Sequence, residues 1–193
     1  MKTFNIVLSG VGGQGVILAS KILSAAAIES GLDVKQSEVH GMSQRGGSVT
    51  SHVRIGSKVY SPLVVEGEAD IVLGFELLEA ERNKHWVKKD GIIVYNTLKV
   101  NPITVSAGMA EYPENVEENL NKLDCKVYAV DAFNLAKEAG NPKAANVALV
   151  GAASNFIPID SAIWEKTLKE VIPAKVLDVN LKAFNAGKNC IQN

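Results

Sequence analysis

The most constraining feature of this sequence is a glycine-rich turn near its start. The apolar run FNIVLSG leads through VGGQG into a segment with apolar or small residues at helical spacing. Gly10, Gly12 and Gly15 therefore fit G-x-G-x-x-G between a strand and a helix. Such glycines make a tight turn and let backbone amides approach an anion at the N-terminus of the helix. The predicted binding segment comprises Gly10, Gly12, Gly13, Gln14 and Gly15.

Alternating strand and helix patterns continue along the chain. Gly31 can end the first helix as a left-handed cap, and residues 33–39 then form a second strand. Residues 76–89 have helical spacing, and Asp131 can cap a helix that follows the last strand. Two or three further helices come after it, with Asp160 as a cap and Pro173 before the final segment. We therefore predict one α/β domain over residues 1–193, a Rossmann-like three-layer fold with a mostly parallel sheet and a helical C-terminal tail.

A β-hairpin is predicted as an insertion into this fold. Residues 48–55 and 58–65 are both apolar stretches with strand-like composition, and Gly56 and Ser57 separate them. A short connection that contains glycine between two such stretches is typical of a hairpin turn.

A second polar, glycine-rich loop, HGMSQRGG, follows the second predicted strand. Its candidate binding residues are Ser43, Gln44, Arg45 and Gly46. The Arg45 guanidinium offers a fixed fork of donors that suits phosphate or carboxylate, although a solvated loop arginine is the alternative. Because both glycine-rich loops follow strands of a parallel sheet, we expect them to meet at its carboxyl edge and form one site.

Three functions remain open for this site from the residues alone. The first is a subunit of an oxidoreductase in which the glycines bind a phosphate-bearing ligand, or make only a structural turn. The second is an NAD(P)-dependent dehydrogenase. Its dinucleotide would need an acidic residue near the end of the second strand, where Glu38 lies. The third possibility is a nucleotide-binding or structural subunit without chemistry of its own.

Composition and residue types exclude several other classes. A net charge of -1 without a dense basic run argues against nucleic acid as a partner. The opening segment has neither a signal-peptide pattern nor the length of a membrane span, so we expect a cytoplasmic protein. Two cysteines cannot supply the four thiolates of an iron–sulfur cluster, and the three histidines lack partners at metal-ligand spacing. Cys125 is interpreted as a core residue. Glu76, Glu79 and Glu81 are interpreted as a solvated helix face, although Glu76 is placed to line the same sheet edge as the glycine turn.

Two motifs together resemble a known family. GVGGQGVILASKIL, followed by EVHGMSQRGGSVTSHVRIG, is similar to the gamma-type domain of 2-oxoacid:ferredoxin oxidoreductases. The residues His40 to Gln44 before Arg45-Gly46 resemble the beta subunits of the indolepyruvate branch, whereas pyruvate and 2-oxoglutarate members have an aromatic residue and Gly-Pro-Glu there. The resemblance spans nearly the whole chain and is strongest over residues 1–60.

The resemblance implies a division of labour between subunits. A larger partner subunit would carry thiamine diphosphate and the iron–sulfur clusters, while this chain binds no cofactor alone and holds coenzyme A as co-substrate. The complex would decarboxylate a 2-oxoacid oxidatively, with an aryl pyruvate favoured, and pass the electrons indirectly to ferredoxin. No catalytic residue can be assigned to this chain, and no metal or membrane is expected.

Overall fold

The computed structural model describes residues 1–40 and 47–191. Six strands form one sheet in the order β2-β3-β1-β4-β5-β6. Their bounds are β1 Phe4–Val11, β2 Asp33–His40, β3 Ser48–Gly56, β4 Ala69–Gly74, β5 Val87–Asn96 and β6 Lys126–Val130.

β3 runs against the direction of the other strands. It pairs antiparallel with both β1 and β2, whereas the β1–β4, β4–β5 and β5–β6 pairs are parallel. β1 and β2 therefore share a direction, but β3 lies between them. The mostly parallel sheet predicted from the sequence is confirmed.

Helices cover both faces of the sheet. They are α1 Val16–Glu29, α2 Leu77–Arg82, α3 Ile103–Ser106, α4 Val116–Asn121, α5 Ala132–Glu138, α6 Ala145–Ser154, α7 Ser161–Val171 and α8 Ala174–Cys190. Side chains of α1, α5, α6, α7 and α8 join one core cluster, and those of α2 and α4 join a smaller cluster on the opposite face. This arrangement confirms the three layers and the helical tail.

β1 shows why the middle of a central strand in such a sheet is apolar at consecutive positions. Ile6 and Leu8 belong to the larger core, while Val7 between them belongs to the smaller one. Successive side chains of a strand point to opposite faces, so a strand covered on both sides presents an apolar residue at each position.

The predicted hairpin at Gly56 and Ser57 is wrong, because residues 57–68 form no strand. β3 already uses both of its edges, for β1 and for β2, and so offers no edge to a following strand. The antiparallel pair is instead β2 with β3. Side chains hold the backbone of residues 57–65 in place: Val59 N–H donates to Asp33, and the Arg54 guanidinium donates to the carbonyls of Ser61 and Leu63.

The predicted caps are confirmed where the structure can be compared. Gly31 has a φ of +71°, and the side chains of Asp131 and Asp160 accept backbone N–H groups at the starts of α5 and α7. The helical pattern after Glu76 was too long, since α2 ends at Arg82 and β5 begins at Val87. Pairing of β5 with β4 begins there and overrides the local helical spacing.

α6 and α8 pack with their backbones in contact. A Cβ on Gly151 would lie 2.0 Å from the carbonyl oxygen of Phe184, and one on Gly187 would lie 1.8 Å from that of Ala148. Every residue of α6 after its first is buried. α8 therefore closes over a helix that has no exposed face. In the part of the chain that the structure describes, none of the helices is both long and apolar enough to span a bilayer.

Candidate functional site

The glycine turn between β1 and α1 is closed by its own glutamine. Gln14 N–H donates to the Val11 carbonyl at 3.1 Å, and the Gln14 side-chain oxygen accepts Val11 N–H at 2.8 Å. Gly13 and Gly15 have φ values of +101° and +82°, which L residues with a side chain rarely adopt. α1 begins directly after Gly15. The sequence prediction of strand, tight turn and helix is confirmed.

The glycines of the turn have different roles. A Cβ on Gly10 would lie 2.8 Å from Cβ of Phe75, so this glycine permits close packing of the end of β1. A Cβ on Gly15 would lie 2.3 Å from Nδ2 of Asn146. A Cβ on Gly13 would meet no described atom within 4 Å. Gly13 is thus the glycine of the turn that faces open space, where a ligand can approach.

The turn also contacts the end of the second glycine-rich loop. Gly12 N–H donates to the Gly47 carbonyl at 2.8 Å, and Gly47 directly precedes β3. Among the described residues, Gly47 is therefore the one that links the end of the second loop to the turn. This bond occupies the Gly12 amide, so that amide is not among those left to bind an anion. The predicted residues Ser43, Gln44, Arg45 and Gly46 lie outside the described residues.

The N-terminus of α1 supplies positive potential at this edge of the sheet. The first N–H groups of a helix, here those of Val16, Ile17 and Leu18, have no intrahelical acceptor. The first turn of α1 contains no acidic residue, and no side chain caps it. An anion placed before such a helix gains from both the free amides and the helix dipole.

A cavity of about 460 Å³ opens beside the turn, between the ends of β1 and β4. This is the position at which the chain connections turn to opposite sides of the sheet, where open α/β sheets bind ligands. The turn and the segments after β4, β5 and β6 contribute to its walls, as do the residues around the start of α6. Its lining residues include Gly13, Gln14, Gly15, Phe75, Asn96, Phe133, Lys143 and Asn146.

A second cavity, of about 350 Å³, lies on the other side of the turn. Its walls are formed by the turn, the start of α1 and Val49 of β3, and all of its lining side chains are apolar. The glycine turn therefore lies between two cavities. The smaller one has only apolar side chains, whereas the larger one, called the polar cavity below, also has the side chains of Gln14, Asn96, Lys143 and Asn146.

Three residues of the polar cavity were missed by sequence analysis. Asn146 donates to the Gly15 carbonyl at 3.3 Å, and Asn96 links the Phe75 carbonyl to Ala132 N–H. Lys143 is exposed at the rim and is the cavity's cation among the described lining residues. The only local signal was the Asn-Pro-Lys start of a helical segment, because 131 positions separate Asn146 from Gly15.

The position of Glu38 argues against a dinucleotide. In a dinucleotide-binding unit, the acidic residue lies on the strand next to β1. Here β3 separates β2 from β1, and with strands about 4.8 Å apart, Glu38 is displaced by a further strand spacing. Gln36 of the same strand also donates to Glu38 at 2.9 Å.

The interpretation of Glu76 and Glu79 as a solvated face is wrong, since they are 1% and 2% exposed, while Glu81 is only partly buried. Glu76 caps α2 by accepting Glu79 N–H. Glu76 also accepts the Tyr112 hydroxyl at 2.7 Å, and burial together with this carboxylate raises the pKa of Tyr112. Both glutamates are buried and form hydrogen bonds at the carboxyl edge of the sheet instead of facing solvent.

The remaining titratable candidates show no sign of catalysis. Cys125 is half-buried and burial raises the pKa of its thiol, which disfavours the nucleophilic thiolate. His52 is buried and accepts Val64 N–H at its Nδ1. Within residues 1–40 and 47–191, no group of three or more His, Cys, Asp or Glu side chains is placed to hold a metal ion.

These features of the fold and the site together define a class of protein. A strand, glycine turn and helix whose N-terminus borders a cavity at the carboxyl edge of a parallel sheet is typical of α/β proteins that bind phosphate-bearing ligands. The family model for pyruvate ferredoxin/flavodoxin oxidoreductases matches residues 5–190. This chain belongs to that family. It is therefore a subunit of a 2-oxoacid oxidoreductase.

Known relatives are similar to this chain over nearly its whole length. The indolepyruvate oxidoreductase subunit IorB of Pyrococcus horikoshii is 43% identical over 97% of this chain and 95% of the relative. The gamma subunit of keto/oxoacid ferredoxin oxidoreductase from Geobacter sulfurreducens has the same fold, with a TM-score of 0.73 and 25% identity over 96% of both chains.

A longer structure contains the fold as one part. 2-Oxoglutarate:ferredoxin oxidoreductase from Magnetococcus marinus, solved with 2-oxoglutarate, coenzyme A and succinyl-CoA bound, matches all of this chain with a TM-score of 0.76 and 24% identity. The match covers 32% of that chain. These relatives support the oxidoreductase-subunit hypothesis and do not support the dehydrogenase alternative.

Proposed function

We propose that this chain is the small subunit of a 2-oxoacid:ferredoxin oxidoreductase that acts on indolepyruvate or a similar aryl pyruvate, and that its glycine turn holds coenzyme A. One observation carries the assignment of the site: Gly13 and Gly15 line two open cavities at the carboxyl edge of the sheet, and Val16 and Ile17 at the start of α1 line one of them. The similarity to IorB supports the substrate class. The coenzyme A bound to the Magnetococcus marinus enzyme supports the ligand.

The proposed reaction converts a 2-oxoacid and coenzyme A into an acyl-CoA and carbon dioxide, and reduces ferredoxin with the electrons released. Thiamine diphosphate and iron–sulfur clusters on a larger partner subunit supply the decarboxylation and the electron transfer. The contribution of this chain is to bind and orient the thiol-bearing co-substrate, which lowers the entropic cost of its encounter with the acyl group.

The phosphates of coenzyme A match the charges at the turn. Lys143 lines the same cavity as Gly13, and no acidic side chain lines this cavity among the described residues. Val16 and Ile17 at the start of α1 line the second cavity, which Gly13 also borders. Arg45 is proposed as a further phosphate ligand, because its guanidinium can donate two parallel bonds to one phosphate. Gly13, without a Cβ, leaves room for close approach.

Kinetics of the reconstituted complex test this proposal. We expect Arg45→Ala to raise the KM for coenzyme A about ten- to a hundredfold, as for a lost bond to a charged group. Lys143→Ala should raise it about two- to fivefold, because Lys143 is exposed and its charge is screened. The KM for the 2-oxoacid should stay within twofold of the wild type.

Lys137→Ala is the matched control, since Lys137 is an exposed lysine of α5 outside the cavity. If Arg45→Ala and Lys143→Ala both leave the coenzyme A dependence unchanged in complexes that assemble normally, this site does not bind coenzyme A.

A further inference from the structure

The two buried glutamates at the carboxyl edge of the sheet, Glu76 and Glu79, have different hydrogen-bond partners. Glu76 accepts three hydrogen bonds, from Glu79 N–H at 2.9 Å, Val100 N–H at 3.0 Å and the Tyr112 hydroxyl at 2.7 Å. These bonds join α2 to the segment after β5. They satisfy the Glu76 carboxylate and explain it as a structural cap.

Glu79 instead reaches toward the glycine turn. Its Oε1 accepts from Arg82 at 2.7 Å, and its Oε2 accepts the Ser48 hydroxyl at 2.5 Å. Ser48 is the first residue of β3. It directly follows Gly47, whose carbonyl accepts the N–H of Gly12. A chain of contacts therefore runs from Glu79 through Ser48 and Gly47 to the turn.

The backbone of Glu79 is fixed as firmly as its carboxylate. Its carbonyl accepts the Ser9 hydroxyl at 3.2 Å and the Asn83 side-chain amide at 2.9 Å, and Ser9 lies on β1 immediately before Gly10. Glu79 thus bonds to β1, which precedes the first glycine-rich loop, and to β3, which follows the second. Burying a carboxylate costs several kcal/mol unless partners satisfy it, and Arg82 and Ser48 are the partners of the Glu79 carboxylate.

We propose that Glu79 is a positioning residue for coenzyme A. By holding Ser48, it keeps the Gly47 carbonyl on the Gly12 amide, and this sets the orientation of the glycine turn and of the first amides of α1. The carboxylate suits this task because one oxygen binds Arg82 while the other binds Ser48. The inference rests on the proposed function, since it assigns to Glu79 an effect on the ligand of that site.

Ser48→Ala is the sharpest test. It removes the hydrogen bond from the Ser48 hydroxyl to Glu79 and leaves the Glu79–Arg82 ion pair in place. In the reconstituted complex, we expect the KM for coenzyme A to rise about three- to tenfold, since the turn is only one of the groups that bind the ligand. The kcat at saturating coenzyme A and the KM for the 2-oxoacid should stay within twofold. Ser48→Thr, which keeps the hydroxyl, should restore the wild-type KM.

Thr50→Val is the matched control. Thr50 lies two residues further along β3, and its hydroxyl also approaches the end of α2, with 3.5 Å between Oγ1 and Oδ1 of Asn83. It does not adjoin Gly47. We expect this variant to leave the KM for coenzyme A unchanged.

The outcomes separate this inference from the proposed function. If Ser48→Ala leaves the KM for coenzyme A unchanged while Lys143→Ala raises it, the site stands and the role of Glu79 is refuted. If Thr50→Val raises the KM as much as Ser48→Ala does, the effect reflects general loosening of β3 and the role is equally refuted. If Ser48→Ala, Lys143→Ala and Arg45→Ala all leave it unchanged, the proposed coenzyme A site falls and the positioning role falls with it.

Discussion

Gly13 and Gly15 share a positive φ but differ in what surrounds their α-carbons. Gly15 faces the Asn146 amide, whereas Gly13 faces open space. A side chain at Gly15 would meet both backbone strain and a collision, and one at Gly13 would meet strain alone. The two positions therefore separate the role of the turn in folding from its role in binding.

We expect Gly15→Ala to lower the free energy of unfolding by about 2–5 kcal/mol, because left-handed strain of about 1–2 kcal/mol adds to the cost of overpacking against Asn146. Gly13→Ala should lower it by only about 1–2 kcal/mol. Urea denaturation of the two variants measures the difference. Equal losses would show that Asn146 moves away without cost.

At the scale of elements, residues 57–68 form an irregular segment whose backbone is held by side chains of neighbouring strands. His52 of β3 is one of these, since its Nδ1 accepts Val64 N–H at 3.1 Å. This nitrogen must be unprotonated to accept. Burial lowers the pKa of His52 from its ordinary value of 6.5, in keeping with the neutral ring that the bond requires.

Stability should therefore depend on pH through His52. The unfolded chain protonates His52 near pH 6.5 and the folded chain only at lower pH, so the unfolded state binds more protons in between. The contribution is complete above pH 6.5 and declines as the pH falls, by at most about 1.4 kcal/mol per pH unit. Chemical denaturation at pH 7.5 and 5.5 measures it. His52→Asn should lose less stability over this interval than the wild type, and an unchanged loss would contradict the assignment.

The cap of α7 offers an independent test at the same scale. The Asp160 side chain accepts Ala162 N–H at 2.8 Å. Asp160→Ala should lower the free energy of unfolding by about 1 kcal/mol, whereas Asp160→Asn should retain most of it, because an amide oxygen can still accept. Thermal or urea denaturation is sufficient to compare them. An equal loss in both variants would indicate that charge near the helix dipole matters more than the cap bond.

The sequence predicted those elements whose signal is local. The glycine turn, the Gly31 cap and the Asp131 and Asp160 caps depend on neighbouring residues, and the structure confirms them. The hairpin failed because pairing of β3 depends on which edges are free, which is a property of the whole sheet. Lys143 and Asn146 of the cavity escaped notice for the same reason, since the turn lies more than a hundred positions away.

At the scale of the whole molecule, the chain resembles one component of a larger enzyme. We expect the purified chain to contain neither stoichiometric iron nor thiamine diphosphate, because its two cysteines are too few for a cluster. Metal analysis and mass spectrometry of the isolated chain, beside the complex with the cognate larger subunit, provide the comparison. Iron in equal amounts in both samples would refute the proposed division of labour.

The contact between α6 and α8 has a consequence for how the chain acquires its structure during synthesis. Pairing of the six strands involves only residues up to Val130, so the sheet can assemble while later residues are still within the ribosome. The wholly apolar segment 147–153 emerges next, but its cover, residues 174–190, is translated more than twenty positions later. During that interval the apolar surface of α6 that α8 covers in the folded chain is exposed. Docking of α8, more than pairing of the strands, therefore sets the moment at which this surface ceases to be an aggregation hazard.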